Sequence, residues 1–179
     1  MLQERTDGPK LKGQRSYMEI AEAISRYGSP GSVLSDQREL YKRMVYNILM
    51  NNENDHLRNH AFYFDGNGWR LTKLYDVVPI EYRVKHLWFE AGKHATEMSL
   101  SNALTSHALF GLTLAQAREI IEGMVKTFFS GWERHFEQCG VSQDDMGKLR
   151  HLLGHRVRAE IERDDWVRSK FLRMAQPAM

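Results

Sequence analysis

At 179 residues, 42% hydrophobic and 27% charged, the chain has the size of one domain, or one lobe of something larger, and can sustain a core. A formal charge of +2 gives no global argument for nucleic acid or a membrane surface, and a single cysteine, Cys139, excludes an internal disulfide framework and fits a reducing compartment. No apolar run approaches the roughly 20 residues that span a bilayer, and the polar stretch Met1–Ser16 lacks the apolar segment of a secretory signal, so a soluble, cytoplasmic protein is expected.

Residues 1–15 mix Gly8, Pro9 and Gly13 with charges and read as a flexible arm; residues 16–179 read as the folded unit. Ser16 with Glu19 three residues on predicts a capping box, and Met18, Ile20, Ala21, Ala23 and Ile24 supply an apolar helical face. Gly28 is expected to stop this helix in the left-handed cap geometry, before a Ser29–Ser32 turn. Ser35 or Asp36 should open a second helix, with Leu40, Met44, Val45, Ile48 and Leu49 at helical spacing, ending near Met50–Asn52.

A polar loop follows, Asn51 to His60. Ala61–Phe64 and Trp69–Leu71 then flank Asp65-Gly66-Asn67-Gly68, whose Asp-Gly and Asn-Gly pairs tolerate the positive φ of a tight hairpin turn. Residues 80–100 carry no decisive pattern, with Trp88 and Phe89 as anchors that could face a missing lobe and favour self-association. Thr113 with Gln116 predicts a second capping box opening a helix to about Gln138, striped by Leu114, Ala117, Ile121, Met124, Val125, Phe128 and Trp132, with Gly140 closing it. A last helix should run from near Ser142 into the Arg163 region. The fold class is mainly α with one short β-hairpin.

The chemistry concentrates between residues 51 and 79. Polar groups five apart on a loop, followed by an aspartate beyond a hairpin, form a pattern that phosphoryl transfer uses: one group orients the attacking hydroxyl, and an asparagine and an aspartate hold magnesium against nucleotide phosphates. Here the magnesium pair would be Asn59 and Asp76.

Three segments, Tyr17–Ile24, Asn51–Phe64 and Trp69 through Tyr75-Asp76, together resemble the C-terminal portion of the HipA-like serine/threonine kinases, the toxin components of bacterial toxin–antitoxin pairs. The resemblance runs from about Ser16 to Pro79 and implies a helical kinase-like C-lobe. It also implies ATP- and magnesium-dependent phosphorylation of serine or threonine in a protein, and a DNA-binding antitoxin as partner, with DNA reached only through that antitoxin. The family's loop reads aspartate, any residue, histidine, two residues, asparagine. On it His56 matches a structural loop histidine, Asn59 the metal-binding asparagine, and Asp76, after Tyr75, the metal-binding aspartate. The catalytic aspartate falls on Asn54, and Asp55 sits one place late as a possible stand-in. An asparagine accepts a hydrogen bond but takes no proton at neutral pH, and a positioned base contributes about 10²- to 10⁴-fold, so much-reduced catalysis is expected.

Family chains carry a β-rich, nucleotide-cradling portion upstream of the equivalent of Ser16. No G-x-G-x-x-G or G-x-x-x-x-G-K-[ST] pattern occurs in this sequence. The expectation is a C-lobe without its N-lobe, partnered by that missing lobe or by an antitoxin-like protein. Two rivals stand beside it. One is a pseudokinase remnant serving as a non-catalytic protein-binding module. The other is a helical nucleic-acid-binding protein using the segment Gly147–Arg173, which holds eight Lys or Arg against four Asp or Glu. A zinc site on His56 and His60, four apart, lacks a clear third ligand. Arg70 and Lys73 could meet phosphate, though a solvated hairpin edge accounts for them as well.

Overall fold

The structure, a computed structural model, describes residues 16–80, 85–163, 165–166 and 168–169. The arm expected at 1–15 lies outside the described residues. In chain order the elements are α1 (Tyr17–Tyr27), α2 (Val33–Leu49), a 3-10 turn (Leu57–Asn59), β1 (Phe62–Phe64), β2 (Trp69–Leu71), α3 (Leu100–Thr105), a second 3-10 turn (His107–Phe110), α4 (Leu114–Gln138) and α5 (Gln143–Arg163). The architecture is helical with one antiparallel hairpin, as the sequence predicts. Phe62 pairs with Leu71, Tyr63 with Arg70 and Phe64 with Trp69.

Helix α2 is the axis of the fold. Its Leu40, Tyr41, Met44, Val45 and Ile48 are all fully buried, and it contacts α1, α3, α4 and α5. Burying side chains of this size stabilises by about 1.5–3 kcal/mol each, so the residues that define α2 in the sequence also define the core. The helix opens at Val33, one turn's fraction before the expected Ser35 or Asp36, because Ser32 closes the preceding turn onto Ser29 and its carbonyl accepts the Asp36 N–H at 2.9 Å.

The two N-terminal caps differ from each other. Thr113 and Gln116 form the full reciprocal box at the head of α4. Ser16 caps α1 by accepting from the Met18 N–H at 3.0 Å, without the returning bond from Glu19. Gly28 ends α1 with φ −67°, not the left-handed geometry expected of it. Glycine is needed there for room: a Cβ would sit 2.3 Å from the Ile24 carbonyl oxygen, whose acceptance of the Gly28 N–H ends the helix. Gly140, at φ +79°, closes α4 as expected.

The segment 85–99 is irregular and wraps the opened end of α1, where Tyr17 N–H donates to Glu90 at 3.1 Å. Phe89 is fully buried, its ring 5.3 Å from Tyr17 and 5.5 Å from His60. Trp88 is half-buried beside His56. Phe89 therefore faces inward, whereas Trp88 keeps part of its surface in solvent. Helix α5 docks through Glu160, a buried carboxylate that accepts the Leu100 N–H at 2.7 Å at the start of α3.

Candidate functional site

The polar loop starts where α2 stops. Asn51 takes φ +56°, a left-handed value that asparagine tolerates at a helix end. From there the chain turns through Asn52–His56, makes the 3-10 turn at Leu57–Asn59 and enters β1. Two side chains of α2 clamp the hairpin that follows. Asp36 accepts from the Arg70 guanidinium at 2.9 and 3.2 Å and from the Leu71 N–H at 3.0 Å. Buried Arg43 donates to the Thr72 carbonyl while pairing with Glu39 at 3.1 Å. Arg70 thus clamps the hairpin to α2, its side chain still 29% exposed.

Leaving the hairpin, residues 72–80 return along the loop and are fastened to it twice. The Tyr75 hydroxyl donates to the Arg58 carbonyl at 2.7 Å. The Asn51 side-chain amide donates to the Ile80 carbonyl at 2.9 Å, and the Ile80 N–H reaches back to the Asn51 carbonyl at 3.4 Å. The first bond ties the Tyr75 side chain to the backbone at residue 58. Asp76 is exposed with φ +57°. Asn59 is buried, and its amide nitrogen donates to the Asn54 carbonyl at 3.0 Å.

Asn54 and Asp55 are neighbours in sequence and opposites in environment. Asn54 is exposed on the rim of a cleft of about 590 Å³ that it shares with Val78, Ile80, His86 and Trp88. Asp55 is 2% exposed and points into the protein. Its carboxylate accepts from the Tyr17 hydroxyl, from Asn47 Nδ2 at 2.7 Å and from His60 Nε2 at 3.0–3.1 Å. Asn47 also donates to the Tyr17 oxygen at 3.1 Å and accepts from Asn52 Nδ2 at 3.0 Å, and Asn52 Oδ1 accepts the Asn54 N–H at 3.2 Å. Every link of this chain is a polar group taken from water and given a partner, the condition for burying it.

Burial first, and then the adjacent Asp55 charge, push the Tyr17 phenol well above its ordinary pKa, so it remains a donor to the carboxylate. His60 presents Nε2 to Asp55, while its Nδ1 is buried without a partner. The proton therefore belongs on Nε2, since a lone pair is easier to leave unpaired than an N–H.

The loop histidine expected to be structural, His56, packs edge-on to Trp88 at 6.4 Å; the histidine that holds the loop by hydrogen bonding is His60. Tyr17, Asn47 and Asn52 are the members of the site that sequence reasoning passed over, and His60 enters it only as half of a zinc pair. Asn47 carried a signal, a polar residue on the buried face of α2. The three-residue zinc grouping is absent: among the described residues no three His, Cys, Asp or Glu side chains cluster so as to hold a metal ion. In the basic C-terminal segment, Lys148 pairs with Asp144 and Asp145, Arg150 with Glu133, and Arg168 with Asp165. Among the described residues no helix is long and apolar enough to cross a membrane.

The model of the HipA-like C-terminal domain matches residues 2–132, well past the 16–79 segment whose motifs carry the resemblance. A Haemophilus influenzae protein named "Putative kinase" is 35% identical over 66 residues, 36% of this chain and 19% of that protein. The Shewanella oneidensis HipA, solved in a complex with HipB and operator DNA, superposes with a TM-score of 0.64 at 14% identity, over 86% of this chain and 38% of its own. The chain thus spans well under half the length of either relative, and the structural likeness is one of fold.

Proposed function

The chain belongs to the HipA-like C-terminal domain family, and on that footing we propose that it is the metal- and acceptor-side lobe of a HipA-like serine/threonine protein kinase, its own phosphoryl transfer impaired at position 54. The observation that supports this reading is the double fastening to the loop of residues 75–80, the segment that carries Asp76.

An amide oxygen and a carboxylate fit magnesium in kind: the ion takes hard oxygen donors and keeps room for water and phosphate when only one or two come from protein. Asn59 and Asp76 would hold it, and when bound it would neutralise charge on the nucleotide's phosphates. Asn54, on the cleft rim, can accept a hydrogen bond from an acceptor hydroxyl and so orient it, but cannot take its proton. Asp55 does not fill that gap in this reading, because its carboxylate is committed to three buried donors. Its task is to hold the loop from beneath. ATP would be cradled by a second lobe, since the sequence contains no phosphate-loop pattern. The Shewanella protein was solved with HipB and operator DNA; for this chain the corresponding partner would be an antitoxin-like protein, with DNA reached through it.

The test uses manganese as a spectroscopic stand-in for magnesium. Paramagnetic broadening should centre on the amides of residues 59 and 76 and vanish in Asp76→Ala; broadening elsewhere, or none, ends the metal assignment. With a nucleotide-binding lobe added, Asn54→Asp should raise transfer from labelled ATP by about 10²-fold or more. The burial of Asp55 also favours a second reading, a pseudokinase that binds partners without catalysis. Metal binding without any transfer in Asn54→Asp would select it.

A further inference from the structure

On the side of α2 away from the loop lies a trough of about 630 Å³ between α2 and α4. Its α2 wall is a single ridge at four-residue spacing, Arg38, Lys42 and Tyr46. Its floor on α4 is apolar, with Ile120, Met124 and Phe128 at helical spacing, and the Tyr46 ring stands edge-on to Phe128 at 6.4 Å. Gly123 opens the floor: a Cβ there meets nothing within 4 Å. Arg38 and Lys42 are exposed, and neither is paired with a carboxylate among the described residues. The trough is long: from Gln116 to Phe128 its α4 wall runs about 18 Å at roughly 1.5 Å per residue. That is about three turns of helix, too elongated for a compact metabolite and suited to an amphipathic helix laid in a groove.

We infer that the α2–α4 trough docks an acidic amphipathic helix of a partner protein, with its apolar ridge on Ile120, Met124 and Phe128 and its carboxylates turned toward Arg38 and Lys42. Glu119 on the opposite rim sets the sidedness, since it repels acidic groups placed along α4 and leaves the α2 wall as their position. The absent side chain at Gly123 provides the depth into which a large apolar residue of that helix fits.

The full chain is titrated into two fluorescein-labelled, stapled helical peptides of three to four turns. Both carry leucines along one face; one carries glutamates on the flank and the other lysines. Fluorescence anisotropy should show the glutamate peptide bound about tenfold or more tightly than the lysine peptide, a preference of the size charge complementarity supplies. The double variant Arg38→Glu with Lys42→Glu should invert that preference. Gly123→Phe, whose Cβ meets nothing within 4 Å, should weaken the glutamate peptide by at least about tenfold with its thermal midpoint not lowered. Equal binding of the two peptides, or binding indifferent to Gly123→Phe, overturns the proposal. So does a wild-type dimer in sedimentation that Gly123→Phe turns into monomer, because the occupant would then be a second copy of this chain.

Discussion

The loop beneath Asn54 and the outer surface of α4 and α5 treat polar side chains in opposite ways. Under the loop, Asn47, Asn52, Asp55 and Asn59 are each no more than 3% exposed, and each has a partner within the protein. On the outer surface of α4 and α5, Lys148 and Arg150 stay in water and pair with carboxylates within one turn or on the neighbouring helix. Both arrangements satisfy the groups involved. Only the first makes their geometry rigid, because a buried polar network has few alternative arrangements of low energy. The difference locates where this fold fixes side-chain positions tightly: around the loop, the place a phosphoryl-transfer site would need them fixed.

Removing the hub should produce the largest effect. Asp55→Ala strands the Tyr17 hydroxyl, the Asn47 amide and the His60 N–H in a site closed to water. Each buried donor left without a partner costs about 1–3 kcal/mol, so a loss of at least about 3 kcal/mol is expected in urea unfolding. A loss below about 1 kcal/mol, the range of a surface ion pair, would show that the loop is not anchored through Asp55 and would erase the contrast.

The second variant sharpens the same contrast by adding pH. Tyr17→Phe keeps the ring packing on Phe89 and removes one donor to a charged acceptor, a loss of about 1.5–3 kcal/mol near neutrality. In the folded chain the Tyr17 phenol titrates above its unfolded value, through burial first and the Asp55 charge second. The folded state therefore holds its proton where the unfolded state has lost it. The resulting stability is complete below about pH 10 and declines as the pH rises beyond that. Tyr41 and Tyr46, raised by burial, share the trend. Stability above pH 10 should fall less steeply in Tyr17→Phe than in wild type, by up to about 1.4 kcal/mol per pH unit for the one proton removed. Identical slopes would mean that the phenol ionises without disturbing the network.

The parts of this molecule legible in its sequence are those fixed by near neighbours. The Thr113 box, the hairpin around Asp65–Gly68 and the span of α4 depend on residues within one turn of each other, and the structure reproduces them closely. Asn59 and Asp76 stand out through their motif, and the segment that carries Asp76 is tied to the loop by a tyrosine bond seventeen residues long in sequence. What escaped was set at longer range or by sterics. Nothing local states that Phe89 inserts between Tyr17 and His60, or that Arg70 reaches back to Asp36, thirty-four residues away. Nor does a residue's type state which way it faces in an unwound segment: of two adjacent polar residues, Asn54 looks out and Asp55 looks in. Gly28 shows the same limit on a smaller scale, being required by a carbonyl's proximity where only its backbone freedom was legible.

The smallest effect is expected where charges are solvated, and it tests the other half of the comparison. Arg150 on α5 reaches Glu133 on α4 at 2.9 Å and Glu137 at 3.9 Å, with its side chain 44% exposed. It is the clearest ion pair joining the two helices, and by count of contacts drawn on paper it looks important. Water competes for each partner, salt screens the pair, and ordering two long side chains offsets most of the Coulomb gain, so Arg150→Ala should change stability by no more than about 0.2–1 kcal/mol. In 1 M NaCl, where the Debye length falls to about 3 Å, the difference between variant and wild type should shrink toward zero. A loss as large as that of Asp55→Ala, persisting in salt, would mean that the arginine stem is packed into the α4–α5 seam. Exposure would then have misjudged which polar groups this fold depends on, and the division between a rigid loop and a solvated helical surface would have to be redrawn around the seam.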